Sequence, residues 1–289
     1  MEAKPLVIIV GPTASGKTSL SIDLAKRFNG EIICADSRTV YKGMDIGTAK
    51  PTSEERDGVP HWGLDLIEPG ESFSAYDFKR YAEEKIADIR LRGKVPFIVG
   101  GTGLYVDAVL FDYEFGSPAN LELRRKLEDM SLEVLRNYCI ENNIKLPEND
   151  KNKRYVIRAI EQNNAHAKRR SAPIENAVVV GIATKKEMLR RRIEERAEQL
   201  FKDGVVEEAT LLGKKYGWTN EAMTGNIYPL VHQYLLGVMS LSEVKEKFVT
   251  LDWRLAKRQL TWLRRNPFIT WLPIDEAKRY LVEALANRV

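Results

Sequence analysis

The sequence predicts an α/β fold, a parallel sheet flanked by helices, organised around a phosphate-binding loop and interrupted by an α-helical insertion. Three observations predict it. The apolar run Leu6–Val10 leads into Gly11-Pro-Thr-Ala-Ser-Gly16-Lys17-Thr18, which completes G-x-x-x-x-G-K-[ST], and residues 19–28 continue at helical period. Further strand-like runs at Glu31–Ala35 and Val95–Val99 flank a helix-periodic stretch from Phe73 to Arg92, ended by Gly93. That alternation implies a parallel sheet with ligands at the carboxyl ends of its strands. From about Phe115 to Ala177 the rhythm breaks into candidate helices at 121–127, 132–142 and 154–162. Val178–Ala183 resumes the sheet, and everything after it reads as helical. The expected organisation is a P-loop NTPase-like core of residues 1–114 and 178–289, with a helical insertion at 115–177.

Each element brings candidate chemistry. In the first loop, the backbone N–H groups of Gly11, Thr13, Ala14, Ser15 and Gly16 are placed to wrap a diphosphate or triphosphate. Lys17 neutralises the anion, and the Thr18 hydroxyl suits Mg²⁺. Asp36 follows the second strand and faces the same crevice. It reads as a turn or helix-capping aspartate, or as a general base for a nucleophile arriving beside the phosphate. The following stretch to Pro51 is rich in Gly, Lys and hydroxyls, as suits a loop that approaches a ligand closely. The third strand ends in Gly100-Gly-Thr102-Gly103, where a P-loop ATPase usually places an Mg²⁺-binding aspartate. That omission argues against an NTP hydrolase, and Thr102 offers a hydroxyl to a diphosphate oxygen.

Farther on, Leu189, Ile193, Ala197 and Leu200 form one helical stripe, with Arg196 inside it. A guanidinium there needs an anion, either an internal acid or a bound phosphate. Arg192 is expected to be peripheral. Residues 251–265 mix Arg254, Lys257, Arg258, Gln259, Arg264 and Arg265 with Trp253 and Trp262. The indoles read as core and the cations as a track for a nucleic-acid backbone. His61, His166 and His232 lack metal spacing, and His61 reads as structural, as orienting Asp65 or as lining the crevice.

Composition narrows the class. The 289 residues are 44% hydrophobic and 30% charged, as in a globular protein, with no apolar run near the roughly 20 residues that span a bilayer. A cytoplasmic monomer is expected. Isolated Cys34 and Cys139 indicate neither a disulfide framework nor a zinc site. The net charge is only +4, but basic clusters recur at 151–158, 168–170, 185–192 and 254–265. They read either as solvated faces balanced by nearby glutamates or as contacts for a polyanion such as RNA.

The residues at this point resemble the bacterial tRNA dimethylallyltransferase family. The likeness runs through the Gly11–Thr18 loop, Asp36-Ser-Arg with Tyr41, Met44-Asp-Ile-Gly-Thr-Ala-Lys-Pro51, and Val59-Pro-His61 with Leu64-Asp65. It continues through Gly100–Tyr105, Arg158-Ala-Ile-Glu161, Leu189-x-x-Arg192-Ile-x-x-Arg196, Gly204 with Glu207-Glu208, and Ala256-Lys-Arg-Gln-x-Thr-Trp262. The resemblance implies transfer of a dimethylallyl group from dimethylallyl diphosphate to the exocyclic amine of an adenosine next to the anticodon of tRNA. It makes Asp36 the base, with Lys17, Thr102, Arg196 and a Thr18-held Mg²⁺ on the leaving diphosphate. Ser37, Arg38, Tyr41, Lys42, Gly47, Thr48 and Lys50 would hold the target base and its neighbours, and Arg154, Arg158, Lys257, Arg258 and Gln259 would contact the tRNA. The chain departs from the family pattern at Tyr155, Gln162–Ala167, Ile227–Leu230 and Asp252–Arg254, away from the expected diphosphate ligands. A P-loop small-molecule kinase and a prenyltransferase of free adenine nucleotides are the alternatives. Tyr41–Pro51 and the Lys-Arg-Gln helix speak against the first, and the basic insertion and the same helix against the second.

Overall fold

The computed structural model describes residues 3–116, 120–163, 168–286 and 288. The first half of the chain runs β1 (Leu6–Val10), α1 (Lys17–Arg27), β2 (Gly30–Ala35), β3 (His61–Trp62), α2 (Ala75–Leu91), β4 (Val95–Gly100) and α3 (Gly103–Leu110). Three helices follow, α4 (Leu121–Glu128), α5 (Leu132–Glu141) and α6 (Lys153–Gln162). The chain continues with β5 (Ala177–Ile182), α7 (Lys186–Lys202), α8 (Val205–Tyr216), α9 (Tyr228–Leu235), α10 (Leu241–Leu263), β6 (Thr270–Leu272) and α11 (Ile274–Ala286). It divides into two compact units, Met1–Leu110 with Pro173–Val289, and Phe111–Ala172.

The larger unit is a six-stranded parallel sheet in the order β3-β2-β4-β1-β5-β6 with helices on both faces. Its inner strands β2, β4, β1 and β5 are buried, mostly apolar runs because both faces are covered. On one face Val7, Ile9, Ile32, Phe97 and Val180 pack against Leu20 and Leu24 of α1 and Leu281 and Leu285 of α11. Fully burying one such side chain contributes about 1.5–3 kcal/mol. A second apolar cluster lies beneath the 40–48 loop, where Tyr41 and Met44 meet Leu200, Leu212, Tyr228 and Phe248.

Two strands escaped the sequence reading. β3 has two residues, too few for alternation to register. β6, in a stretch expected to be helical, has three residues between Pro267 and Pro273 and pairs with β5 through Gly181↔Trp271. Both are edge strands of the sheet, where short length is the rule.

Register positions the site. Val10 pairs with Gly100, and Gly100 with Ala35, so β1, β4 and β2 end abreast and release Gly11, Gly101 and Asp36 at one edge. Gly100 admits no side chain, since a Cβ there would lie 2.1 Å from the Ala35 carbonyl oxygen. At Gly103 a Cβ would lie 2.1 Å from the Trp262 indole, which donates from Nε1 to Asp107 Oδ2 at 2.7 Å. The Gly-Gly-Thr-Gly turn is thereby pressed against α10, and Trp262 is core. Gly103→Ala is expected to cost about 1–3 kcal/mol through overpacking. Differential scanning calorimetry checks this, and an unchanged Tm would contradict the packing.

The smaller unit encloses its own core of Leu127, Leu135, Cys139, Ile144, Val156, Ile157 and Ile160. Each of its helices has a polar cap, from Asn120, Ser131 and Asn152 respectively. Glu161, whose side chain is 1% exposed, gathers Arg124 at 2.7 Å and Arg158 at 3.2 Å. His166 and most of the 162–167 departure lie outside the described residues. Among the described residues no helix is long and apolar enough to cross a membrane.

Candidate active site

The phosphate loop is built to hold an anion. Ala14 at φ 60 and Gly16 at φ 89 take left-handed conformations that turn successive N–H groups toward one point. α2 and α10 begin with serine capping boxes, whereas α1 begins at Gly16 with no side-chain cap. Its first N–H groups and positive dipole end are left for a ligand. Lys17 donates to the Pro12 carbonyl at 3.1 Å. Burial lowers its pKa to about 8, with the Asp36 carboxylate pulling up and the Arg196 cation pulling down.

Asp36, Thr102, Lys17, Thr13 and Arg196 line one crevice of about 380 Å³ with the Thr18, Gly47 and Thr48 of the neighbouring segments. Asp36 uses Oδ1 to accept from the Arg38 N–H at 2.8 Å, the turn geometry expected of such an aspartate. Oδ2 has no hydrogen bond among the described residues, so the turn uses one carboxylate oxygen and leaves the other open. The Thr102 hydroxyl oxygen accepts from the Ser37 N–H at 3.1 Å, and its proton remains available to a ligand.

For Arg196 the structure shows no ion-paired acid among the described residues. Nη1 donates to Thr13 Oγ1 at 2.6 Å and Nη2 to the Thr48 carbonyl at 3.4 Å. Nε is buried with no partner, and among the described residues no carboxylate forms an ion pair with this guanidinium. Asp252, buried in α10, feels the Arg196 charge without touching it; desolvation raises its pKa and Asn226 donates to it at 2.8 Å. Buried polar atoms are normally satisfied, so each exception calls for a partner such as a water or a ligand. Among the described residues these are Ser15 Oγ, Thr39 Oγ1, His61 Nε2 and Arg196 Nε. Ser15 is in the phosphate loop, and the other three residues line the crevice.

The crevice wall also contains Ile32, Cys34, Leu64 and Val99, an apolar surface beside the phosphate loop. Burial raises the Cys34 thiol to about 12, which removes it as a nucleophile at neutral pH. His61 donates from Nδ1 to the Val59 carbonyl at 2.8 Å rather than orienting Asp65, and burial lowers its pKa.

Several expected RNA contacts have partners within the protein, some buried and some at the surface. Lys50 is 6% exposed and donates to the Tyr41 carbonyl, Asp45 and Asp65, so it staples its loop and offers no charge to a phosphate. Tyr41, 3% exposed, belongs to the apolar core. The Arg38 guanidinium reaches the Glu221 carbonyl and Thr224, Lys42 pairs with Glu68 at 3.2 Å, and the Arg158 partner is Glu161. Gln259 accepts from the Thr13 N–H at 2.8 Å, fixing α10 to the phosphate loop. Gly47 donates to Glu208 and admits no Cβ against the Tyr228 ring, 2.6 Å away. Arg192, expected at the periphery, donates to the Ala14 and Ser15 carbonyls at 3.4 and 3.2 Å. One helical turn before Arg196, it faces the same loop, a spacing that was legible in the sequence.

The basic clusters separate by partner. On α7, Arg190 and Arg191 pair with Glu194 and Glu195 one turn on. On α10, Arg254, Lys257 and Arg258 are exposed, and among the described residues no carboxylate forms an ion pair with them. Arg258 also lines the crevice, so this cationic face begins at the site itself.

Known proteins place this geometry. The family model described as IPP transferase matches residues 39–266, and that described as isopentenyl transferase matches residues 4–64. The tRNA dimethylallyltransferase of Bacillus velezensis is 38% identical, with 100% of this chain and 98% of the relative covered. That of Bacillus subtilis is 39% identical over 94% of this chain and 93% of its own length. Among solved structures, the full-length tRNA isopentenylpyrophosphate transferase from Bacillus halodurans superposes with a TM-score of 0.76 at 37% identity, covering 99% and 98% of the two chains. A eukaryotic dimethylallyltransferase acting on tRNA superposes at 0.82 with 25% identity, over 94% of this chain and 74% of that one. The chain belongs to the IPP transferase family of tRNA-modifying prenyltransferases.

Proposed function

We propose that this enzyme transfers a dimethylallyl group from dimethylallyl diphosphate to the exocyclic amine of the adenosine 3′-adjacent to the anticodon of tRNA. The observation that carries the reading is Arg196, a half-buried guanidinium aimed at the phosphate loop and held by hydroxyl and carbonyl oxygens instead of an acid. An anionic ligand completes its coordination. Because glycines and Thr102 follow β4, nothing there serves a γ-phosphate, and the bound diphosphate is a leaving group.

In the reaction the amine nitrogen attacks C1 of the dimethylallyl group as the C1–O bond to diphosphate breaks. Asp36 takes the proton that the amine loses. Lys17, Arg196, the Thr102 hydroxyl and the N–H groups of residues 13–18 stabilise the charge gathering on the diphosphate. The apolar wall of Ile32, Leu64 and Val99 keeps water from the allylic carbon. The adenine reaches this enclosed crevice by leaving its stack in the anticodon loop. Ser37, Gly47 and Thr48 border its position, Lys257 and Arg258 bind the tRNA backbone, and Arg154 is a tRNA contact of the helical unit.

The donor set fits Mg²⁺ held jointly with substrate. The Thr18 side chain is exposed beside the loop, its hydroxyl makes no hydrogen bond among the described residues, and Mg²⁺ commonly takes one or two protein ligands plus phosphate oxygens. The ion would neutralise part of the leaving-group charge. Action as a monomer in the cytoplasm, where tRNA is modified, belongs to the same reading.

The test is incubation with radiolabelled dimethylallyl diphosphate, Mg²⁺ and either unmodified tRNA or AMP. Label in tRNA is expected. Label in AMP alone, or ATP-dependent phosphorylation of a small alcohol without prenyl transfer, would overturn the reading.

Lys17 adds a pH signature. Its pKa of about 8 in the free protein means the cation is present below that pH and lost above it. Affinity for inorganic diphosphate is expected to fall as pH rises through about 8, whereas Lys17→Arg flattens that fall. Calorimetric titration from pH 6.5 to 9.5 measures this, and coincident profiles would contradict it. A second signature concerns charge on α10. The substitution Lys257→Gln should weaken tRNA binding and flatten its dependence on salt, with diphosphate affinity retained. Filter binding across salt concentrations reads the slope.

A further inference from the structure

Arg196 has no acid to hold its direction, so its aim depends on the segments carrying Thr13 and Thr48. The Thr13 side is rigid, because the phosphate loop is bonded to Gln259 and Arg192. The Thr48 side belongs to an irregular loop that must be fixed from outside. What fixes it is Glu208, in the first turn of α8. Glu208 Oε2 accepts from the N–H groups of Asp45 and Ile46 at 2.8 and 2.6 Å, and Oε1 from Gly47 at 2.9 Å.

Three successive N–H groups converging on one point form an anion-binding concavity, and here the protein fills it with its own carboxylate. A fourth donor is the Tyr228 hydroxyl at 2.9 Å. Burial, reinforced by the Glu208 charge, pushes that phenol up, so it stays protonated and donates. On the other side of Thr48, the Lys50 ammonium clamps Asp45, Asp65 and the Tyr41 carbonyl. Thr48 therefore lies between an anionic clamp and a cationic one, with its carbonyl on Arg196 and its neighbours Gly47 and Ala49 on the crevice wall.

We propose that Glu208 is a positioning residue for prenyl transfer, fixing the 45–48 loop so that the Thr48 carbonyl holds Arg196 on the departing diphosphate. This rests on the reading of the crevice as a diphosphate-leaving site. Glu208 touches no substrate and acts through the 45–48 loop, whose Thr48 carbonyl meets Arg196. Glutamine cannot replace it, because its single acceptor oxygen serves fewer donors and its NH₂ would face the loop N–H groups.

The experiment is a double-mutant cycle of E208Q and R196A. It reads single-turnover prenyl transfer to tRNA and, independently, calorimetric affinity for inorganic diphosphate with Mg²⁺. In the wild-type background E208Q is expected to slow transfer about tenfold and to weaken diphosphate binding several-fold. In the R196A background it should change diphosphate affinity by less than about twofold and the rate by clearly less than in wild type. Equal penalties in both backgrounds, or an E208Q enzyme with normal rate and diphosphate affinity, would overturn the proposal. A structural role alone would lower Tm and leave the two penalties independent. If E208Q does not fold, E208D, which retains the charge but draws the loop by one methylene, carries the same cycle. Failure of the wild-type protein to prenylate any tRNA would sink the functional reading, whereas the diphosphate arm of the cycle would still decide the coupling.

Discussion

Asp36→Ala is expected to lower the rate of prenyl transfer by about 10²–10⁴, the usual contribution of a positioned general base. Diphosphate affinity should stay within a few-fold of wild type, because Asp36 contributes no phosphate ligand. The loss follows from its place at the end of β2, one residue beyond the Ala35↔Gly100 pair, beside the phosphate loop. Asp36→Asn is the sharper variant. Its side-chain oxygen can still accept from the Arg38 N–H, so the turn is retained and only proton acceptance is lost. If the turn were the whole role of Asp36, Asn would restore near-normal turnover. Single-turnover kinetics with saturating tRNA and dimethylallyl diphosphate separate the two.

Arg196→Ala carries the second-largest expected effect, about 10²–10³ in rate, the typical loss on deleting one donor to a developing negative charge. Here inorganic diphosphate should bind more weakly as well, in contrast to Asp36→Ala. Folding should survive, because Leu189, Ile193, Ala197 and Leu200 keep the buried stripe of α7 intact. Removal of a half-buried charge whose Nε is unpartnered relieves part of a desolvation cost, so Tm is expected to hold or rise. Arg196→Lys should recover little, since an ammonium cannot bridge Thr13, Thr48 and a diphosphate oxygen together. Thermal unfolding, diphosphate calorimetry and transfer assays on the same preparations check all three statements. A marked fall in Tm with unchanged diphosphate affinity would make Arg196 structural.

The core was legible wherever sequence pattern and function coincide. The phosphate loop announces itself because its glycines, Lys17 and Thr18 sit between a strand and a helix that each carry their own periodicity. Asp36 and Thr102 could be placed because both follow apolar strands, and parallel strands present their carboxyl ends together. Arg196 stood out as a cation inside an apolar stripe, and the structure removes the alternative of an internal acid.

Illegible parts depend on contacts between distant segments. Nothing in the spacing of Lys50 tells that Asp45 and Asp65 will enclose it, and a lysine in a Gly-rich loop looks like a phosphate ligand. Gln259 and Thr13 are far apart in sequence and meet only because α10 folds across the glycine turn. β3 and β6 are too short to show a period. The basic clusters look alike in sequence and differ in whether a glutamate lies one turn away, which α7 provides and α10 does not.

The central claim is that the phosphate loop holds a departing diphosphate and that the bond broken is carbon–oxygen. Dimethylallyl diphosphate carrying ¹⁸O in the bridging position between C1 and phosphorus tests this most directly. After transfer to tRNA, mass spectrometry of the released diphosphate is predicted to recover the ¹⁸O there, with one diphosphate formed per prenyl group. Recovery of ¹⁸O in a dimethylallyl alcohol, or release of orthophosphate in place of diphosphate, would contradict the account.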